Sequence, residues 1–296
     1  MKLPMFAMIS GLVFLSPATA LAQEDCQPEF VQAAQTLVVR DIIVGRDDFA
    51  VETFQVRIRN AGDNGPCSAT VRVARLSTSP TLNPTPFTLQ SRGQALAILP
   101  SETSPGTAAS DLRIPQVTAG PNGFTLPFQL EIASGWGTVS GAQTEDLILL
   151  LVNSAGQVVD TLPLTIQLNI PAAAAVRVVG ATGTDPIARI DLGELEASET
   201  TLSERFGIRV WSTSAYSVRF ESENRGELVH TEQRGRIPYE LLMDSRSVSL
   251  VGGIAAQVPR GTDALGDFHP LRLQVRPFSA RAGAYADRVK VTVTAS

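Results

Sequence analysis

Apolar and polar residues alternate strictly at the C-terminal end of the chain. From Tyr285 to Ser296 the sequence reads YADRVKVTVTAS. Tyr285, Val289, Val291 and Val293 fall on one face of an extended strand, and Arg288, Lys290, Thr292 and Thr294 on the other. A period of two predicts a half-buried antiparallel strand. The pattern has an earlier copy. Ala155 to Leu168 aligns with Ala282 to Ala295 at a constant offset of 127 residues. The alignment keeps Ala-Gly, the pair Asp160/Asp287 and the pair Thr165/Thr292. It predicts two domains with related last hairpins.

The same period runs along most of the chain. Leu37 to Val44 is apolar and branched. Phe49 and Val51 have one parity and Phe54, Val56 and Ile58 the other, which predicts a bulge near Glu52-Thr53. Ala61 to Gly65 reads as a turn, and Ser77 to Pro86, with three prolines, as a loop or edge segment. Phe124, Leu126, Phe128, Leu130 and Ile132 form a clean inward face. Pro127 and Pro163 cannot donate to a ladder, which places them at sheet edges. Ile170-Pro171-Ala172 to Ala175 reads as a hinge. Beyond it, strands are expected at Val176–Val179, Ile187–Leu195, Phe206–Trp211, Tyr216–Glu221, Leu228–His230, Ile237–Met243, Leu271–Val275 and Tyr285–Ala295. No stretch after the first 22 residues holds a helical period over a helix length. The fold class is therefore all-β, with two Ig-like β-sandwich domains at 23–170 and 171–296.

Residues 1–22 read as a signal peptide: Lys2, the apolar run Met5 to Leu15, and Ala20-Leu21-Ala22 before Gln23. The run is too short for a membrane span and Pro17 breaks it. The formal charge is −5, carried with only two lysines, Lys2 and Lys290. An acidic surface argues against nucleic acid and against anionic membranes. Export makes a disulfide between Cys26 and Cys67 the favoured fate of the two cysteines, since no histidine lies near either to share a metal.

Candidate chemistry is sparse. There is no Gly-x-Ser-x-Gly elbow and no His-Glu-x-x-His, and His230 with Glu232 lacks a positioned nucleophile. Gly135-Trp136-Gly137 with Gly141 has the wrong spacing for a phosphate loop and no helix after it. Asp41, Asp47 and Asp48 lack the spacing and the turn glycine of a calcium loop. An enzyme is not expected, nor a metal or cofactor. The second half is more telling for what it lacks. Nothing follows the last strand to close its sheet, so a hydrophobic groove and an unpaired edge are expected, of the kind filled by a strand donated in trans. The alternative is that one of the short strands already closes it.

The second half resembles the spore coat protein U-like domain of archaic chaperone–usher pilus subunits. Asp191-Leu192-Gly193, Ser214-Ala215-Tyr216-Ser217-Val218, Ile237-Pro238-Tyr239-Glu240-Leu241 with Asp244, and Ala282-Gly283-Ala284-Tyr285-Ala286-Asp287 before the alternating valines carry the likeness, over about residues 175–296. The resemblance implies an incomplete domain. A periplasmic pilus chaperone would escort it, an usher would assemble it, and the next pilus subunit's strand would complete it. Tyr285, Val289, Val291 and Val293 would then belong to the acceptor groove and last strand. Family domains carry cysteines where this chain reads Arg209-Val210-Trp211-Ser212, and Trp211 is expected to fill that core space.

Only Gln23-Glu24-Asp25 precede Cys26 in the mature chain, too little to donate a strand. The expected role is therefore a pilus-tip adhesin at the cell surface, binding a surface or host ligand through its first domain. Its adhesive loops are expected at the far end of that domain: Ser134–Gly141, with Trp136 and Val139, and Pro80–Phe87. Equally, Trp136 can pack on its own domain. The rival readings are a secreted structural coat or matrix β-protein, and a carbohydrate-binding module or periplasmic accessory factor. Aromatics clustered on one sheet face would favour the binding module.

Overall fold

The computed structural model describes residues 26–40, 42–45, 49–62, 66–76, 85–184 and 187–296. The signal peptide, Gln23-Glu24-Asp25, the three aspartates at 41, 47 and 48, and most of the Ser77–Pro86 segment lie outside them.

Ten strands build the first half: β1 (Pro28–Phe30), β2 (Gln35–Val39), β3 (Phe49–Asn60), β4 (Cys67–Arg75), β5 (Phe87–Ser91), β6 (Gln94–Leu96), β7 (Leu112–Val117), β8 (Phe124–Ala133), β9 (Gly141–Val152) and β10 (Val158–Ile170). They form two sheets, β1-β3-β8-β5-β6 and β2-β10-β9-β4-β7. One continuous core lies between them, and Val56, Ile58, Leu126, Leu130, Leu149 and Leu164 in it are fully buried. Alternation explains most of these strands. The run Leu147 to Val152 is buried at every position because both faces of β9 are covered. Its second face packs with Ala74 and Leu99, and Leu99 N–H bonds the Val73 carbonyl. Cys26 and Cys67 form a disulfide, closing 41 residues with Cα atoms 5.6 Å apart. By chain entropy that closure contributes about 3–4 kcal/mol.

The second half has β11 (Ala174–Val179), β12 (Thr182–Thr184), β13 (Ile187–Arg189), β14 (Thr201–Leu202), β15 (Phe206–Ser212), β16 (Tyr216–Ser222), β17 (Glu227–His230), β18 (Arg236–Met243), β19 (Arg246–Val248), β20 (Val251–Val258), β21 (Asp267–Val275), β22 (Tyr285–Ala286) and β23 (Val289–Ala295). One sheet runs β11-β15-β21-β18-β17-β22, and β20-β16-β23 faces it over a separate core that includes Val210, Tyr216, Val218 and Val275. The molecule is all-β, built of β-sandwiches.

Several local expectations need correction. β3 has no bulge against β8: the register from Phe49↔Ala133 to Ile58↔Phe124 is unbroken. Phe49 and Val51 simply face outward, 60% and 49% exposed. Pro127 and Pro163 lie in central strands, yet each sits where one neighbour has stopped. The β5 ladder ends at Gln90↔Gln129, and the β2 ladder begins at Gln35↔Leu164. The missing N–H therefore breaks no ladder on that side. Of Ile187–Leu195 only β13 is a strand. β20 went unread because Gly252 and Gly253 interrupt its apolar pattern. Trp211 does not fill the core: Phe206, Ile208 and Val210 point inward from β15, and Trp211 takes the outer face.

The last strand is not continuous either. It breaks at Asp287-Arg288, so that β22 pairs β17 in one sheet and β23 pairs β16 in the other. β10 forms a hairpin with β9, whereas β23 does not pair its predecessor β21. The two copies share a strand and its alternation, not a hairpin.

The expected hinge is pinned. Thr213, fully buried, donates its hydroxyl to the Pro171 carbonyl (2.9 Å) and accepts the Ala173 N–H (2.9 Å). Its carbonyl accepts the Ser140 N–H of the first half at 2.9 Å. Buried Ser212 and Thr262 exchange further bonds behind it.

Candidate functional site

The repeat supplies an internal comparison between β10 and β23. In the first half β10 has a strand on each side: β9 antiparallel, and β2 parallel. β2 sets Leu37 opposite Ile166 and Val39 opposite Leu168, and both are buried. The inward residues of β10, Leu162, Leu164, Ile166 and Leu168, are correspondingly buried. Shifted by 127 residues (Ala155 to Ala282), they become Val289, Val291, Val293 and Ala295. Their strand, β23, has one ladder, to β16, and is terminal in its sheet. β11 is terminal in the facing sheet and runs alongside β23 within 8 Å at Cα. Among the described residues no ladder joins them. Val291 and Val293 are only half-buried, and Val289 is 37% exposed where Leu162 is 0%. Val176 and Val178 of β11, also half-buried, face the same core from the other side. The place that β2 fills in the first half thus corresponds, in the second, to two strand edges that no ladder joins, with half-buried valines on each.

Polar contacts hold the chain just ahead of β23. The Asp287 carboxylate accepts hydrogen bonds from the hydroxyls of Ser222 (2.5 Å) and Tyr239 (2.6 Å), and from the N–H and Nδ2 of Asn224 (3.2 and 2.9 Å). Its repeat partner Asp160 accepts the Phe30 N–H at 2.7 Å, beside the register shift of β10. Burial first, then the hydrogen bond to Asp287, raises the Tyr239 pKa well above the usual phenol range. Tyr216 is raised in the same way, by burial and then by Asp267, whose Oδ2 accepts its hydroxyl at 2.8 Å. Tyr285 lies on β22, off the last strand; its ring meets His230 edge-on at 5.0 Å. His230 is buried, and its Nδ1 accepts the N–H groups of Glu232 and Gln233 at 3.0 and 3.1 Å. That bonding makes it a turn support.

The Ser134–Gly141 loop is not at the far end of the first half. Ser140 bonds Thr213, and a Cβ on Gly137 would stand 3.0 Å from the Ala264 nitrogen, so this loop abuts the second half. Trp136 packs over Gly45, while Val139 is 44% exposed. β10 runs from the far end to the junction, so among the described residues the loops at 118–123 and 153–157 lie at the far end, the first of them next to Cys67. The Pro80–Phe87 loop lies largely outside the described residues. On the flank, a hollow of about 400 Å³ is lined by Gln94, Ala108, Asp111 and Arg113. The hydrogen bond from Arg72 (Nε to Oδ1, 2.7 Å) leads in holding the Asp111 carboxyl below its usual range. Among the described residues no three His, Cys, Asp or Glu side chains gather as a metal site.

No family model matches the chain, and no curated protein matches its sequence. Solved structures that resemble it include the CsuC–CsuE chaperone–tip adhesion subunit pre-assembly complex from archaic chaperone–usher Csu pili of Acinetobacter baumannii, at 12% identity and TM-score 0.44, covering 89% of this chain and 99% of that one. Another is CfaE, the adhesive subunit of CFA/I fimbria of enterotoxigenic Escherichia coli, at 13% identity and TM-score 0.41, covering 90% and 94%. A secreted serine protease of Vibrio cholerae, VesC, is also similar, at 9% identity and TM-score 0.24, covering 92% of this chain and 51% of that one.

Proposed function

We propose that this chain is the tip adhesin of a chaperone–usher pilus. It is exported by its 1–22 signal, with residues 23–170 as adhesin domain and 171–296 as a pilin domain completed by a strand from another subunit. The observation that carries the reading is the contrast between β10, enclosed by β9 and β2, and β23, paired on one side only. An open edge beside half-buried valines is a liability unless a strand covers it, and strand addition supplies the backbone bonds and the side chains together. A periplasmic chaperone covers that edge first, and at the usher the next subunit's strand replaces it. The first domain then faces the surface or host ligand, with the loops at 118–123 and 153–157 outermost.

β2 is a template for the occupant. A strand parallel to β23 would set alternate apolar residues opposite Val293 and Ala295, as Leu37 and Val39 stand opposite Ile166 and Leu168. The test is calorimetric melting of the full mature chain with a peptide of that alternation, against a peptide with the same residues shifted by one. A ligand at a hundred times its dissociation constant stabilises by about 2.7 kcal/mol. The second-half transition should rise with the in-register peptide and not with the shifted one. A chain that melts identically with both has a complete second domain, and the secreted coat or binding-module reading replaces this one.

A further inference from the structure

The outer face of the β11-β15-β21 layer carries a row that the pilus reading does not use. Arg177 of β11 lies directly opposite Arg209 of β15, and Arg209 directly opposite Phe268 of β21. All three are on the outward parity: Val176, Val178, Ile208 and Val210 beside the arginines face the core, as does Leu271, on the opposite parity of β21 from Phe268. Phe268 is 48% exposed. Its ring covers Gly207, where a Cβ would come within 2.5 Å of it. Trp211 covers Gly266 in the same manner, and Gly266 has φ +75° in the turn before β21. Phe268 is thus held against the sheet with about half of its surface in solvent.

Two like charges directly opposite one another destabilise a strand pair. Among the described residues neither arginine has a carboxylate within ion-pair distance. Arg209 is instead fixed by Nη1–H bonds to the carbonyls of Leu265 (2.8 Å) and Gly266 (3.4 Å), with its guanidinium 5.7 Å from the Phe268 ring centre. Two arginines thus stand at opposed positions on the outer face, one of them fixed beside the exposed Phe268 ring, on a chain whose net charge is −5. A carboxylate would relieve the repulsion and take bidentate bonds from the guanidinium forks. The rings beside it suit the apolar face of a sugar. Two arginines on an acidic protein are too few to hold an anionic bilayer or nucleic acid through charge alone.

We propose that this face binds a uronic-acid polysaccharide, the carboxylate on Arg177 and Arg209 and a sugar ring on Phe268. The site goes beyond the pilus reading and does not rest on it. The test is titration of the full mature chain with short oligogalacturonate, followed calorimetrically and by the Trp fluorescence. Binding should vanish with the methyl-esterified oligomer. Arg177→Ala, a residue with no hydrogen bond to lose in the fold, should weaken binding about tenfold, with melting not lowered, since it also relieves the like-charge pair. Arg177→Lys should recover part of that, since charge returns without the fork. Phe268→Leu should weaken it while keeping Gly207 covered. Equal binding of the ester, or unchanged binding by Arg177→Ala, overturns the proposal. Equal affinity for polyglutamate assigns the face to an acidic protein partner instead, and equal affinity for phosphatidylserine vesicles to a membrane; either result overturns it too.

Discussion

Asp287 accepts from three side chains and one backbone N–H, and offers no proton in return. A neighbour that ionises here would face a carboxylate in a partly buried site. That is why Tyr239 stays protonated, after the cost of burying its charge, and Tyr216 follows the same logic against Asp267. Both phenols have folded-state pKa values above their unfolded ones. Their contribution to stability is therefore complete below the unfolded value, about 10, and is lost as pH rises from there through the folded values. In an alkaline titration, the tyrosinate absorbance of these two residues should appear together with loss of near-ultraviolet circular dichroism. Tyr239→Phe should leave one such residue and remove its share of the alkaline loss. If both ionise near pH 10 in a chain still folded, their burial and the hydrogen bonds to Asp287 and Asp267 do not hold in solution.

At the scale of the strand, β10 and β23 differ in flank rather than in sequence. Hydrogen exchange separates them. In β10 amides are enclosed by ladders on both sides over Leu164–Leu168, whereas β23 has β16 alone. Amides of β23 and β11 should exchange at lower opening free energy than those of β10, and the in-register peptide should slow them selectively. Equal protection in the free chain would mean the second core is already closed. The alternation of β10 and β23 was legible in the sequence, as were Cys26 with Cys67 and the clean face of β8, because a period of two leaves its mark wherever one face is buried. What flanks a strand leaves no such mark. β2 closes β10 from far away in sequence, so the enclosure could not be read locally. The break at Asp287-Arg288 was hidden because Tyr285 keeps the parity of the valines while joining the other sheet. Trp211 misled for a related reason: apolarity alone does not tell an inward position from an outward one, and the cover over Gly266 is visible only in space. The Trp136 loop was assigned to the wrong end because loop composition says nothing of which end the chain leaves by.

On the tip-adhesin proposal, load between a ligand on the first half and a strand seated on the second would cross the joint made by Ile170 to Ala174 and the Ser134–Gly141 loop. An alanine-rich stretch suggests slack, yet Thr213 ties Pro171, Ala173 and Ser140 to the end of β15. β11 begins at the residue after Ala173, so the same tie sits at the start of the β11 edge. Thr213→Val keeps the shape and removes the hydroxyl. It leaves the Pro171 carbonyl and the Ala173 N–H without that partner, at a cost of about 1–3 kcal/mol for a buried unsatisfied group. Beyond the lower melting point, the two halves should lose their fixed orientation. Small-angle scattering should then require a range of inter-half angles for the variant where one suffices for the native chain. Thr213→Ser, which restores the hydroxyl without the methyl, should return the single orientation. If Thr213→Val melts lower but scatters like the native chain, the bonds from Ser140 N–H to the Thr213 carbonyl and from Thr213 N–H to the Ala173 carbonyl suffice to hold the joint. If the native chain itself requires many angles, Thr213 stabilises the second half and fixes nothing between the two.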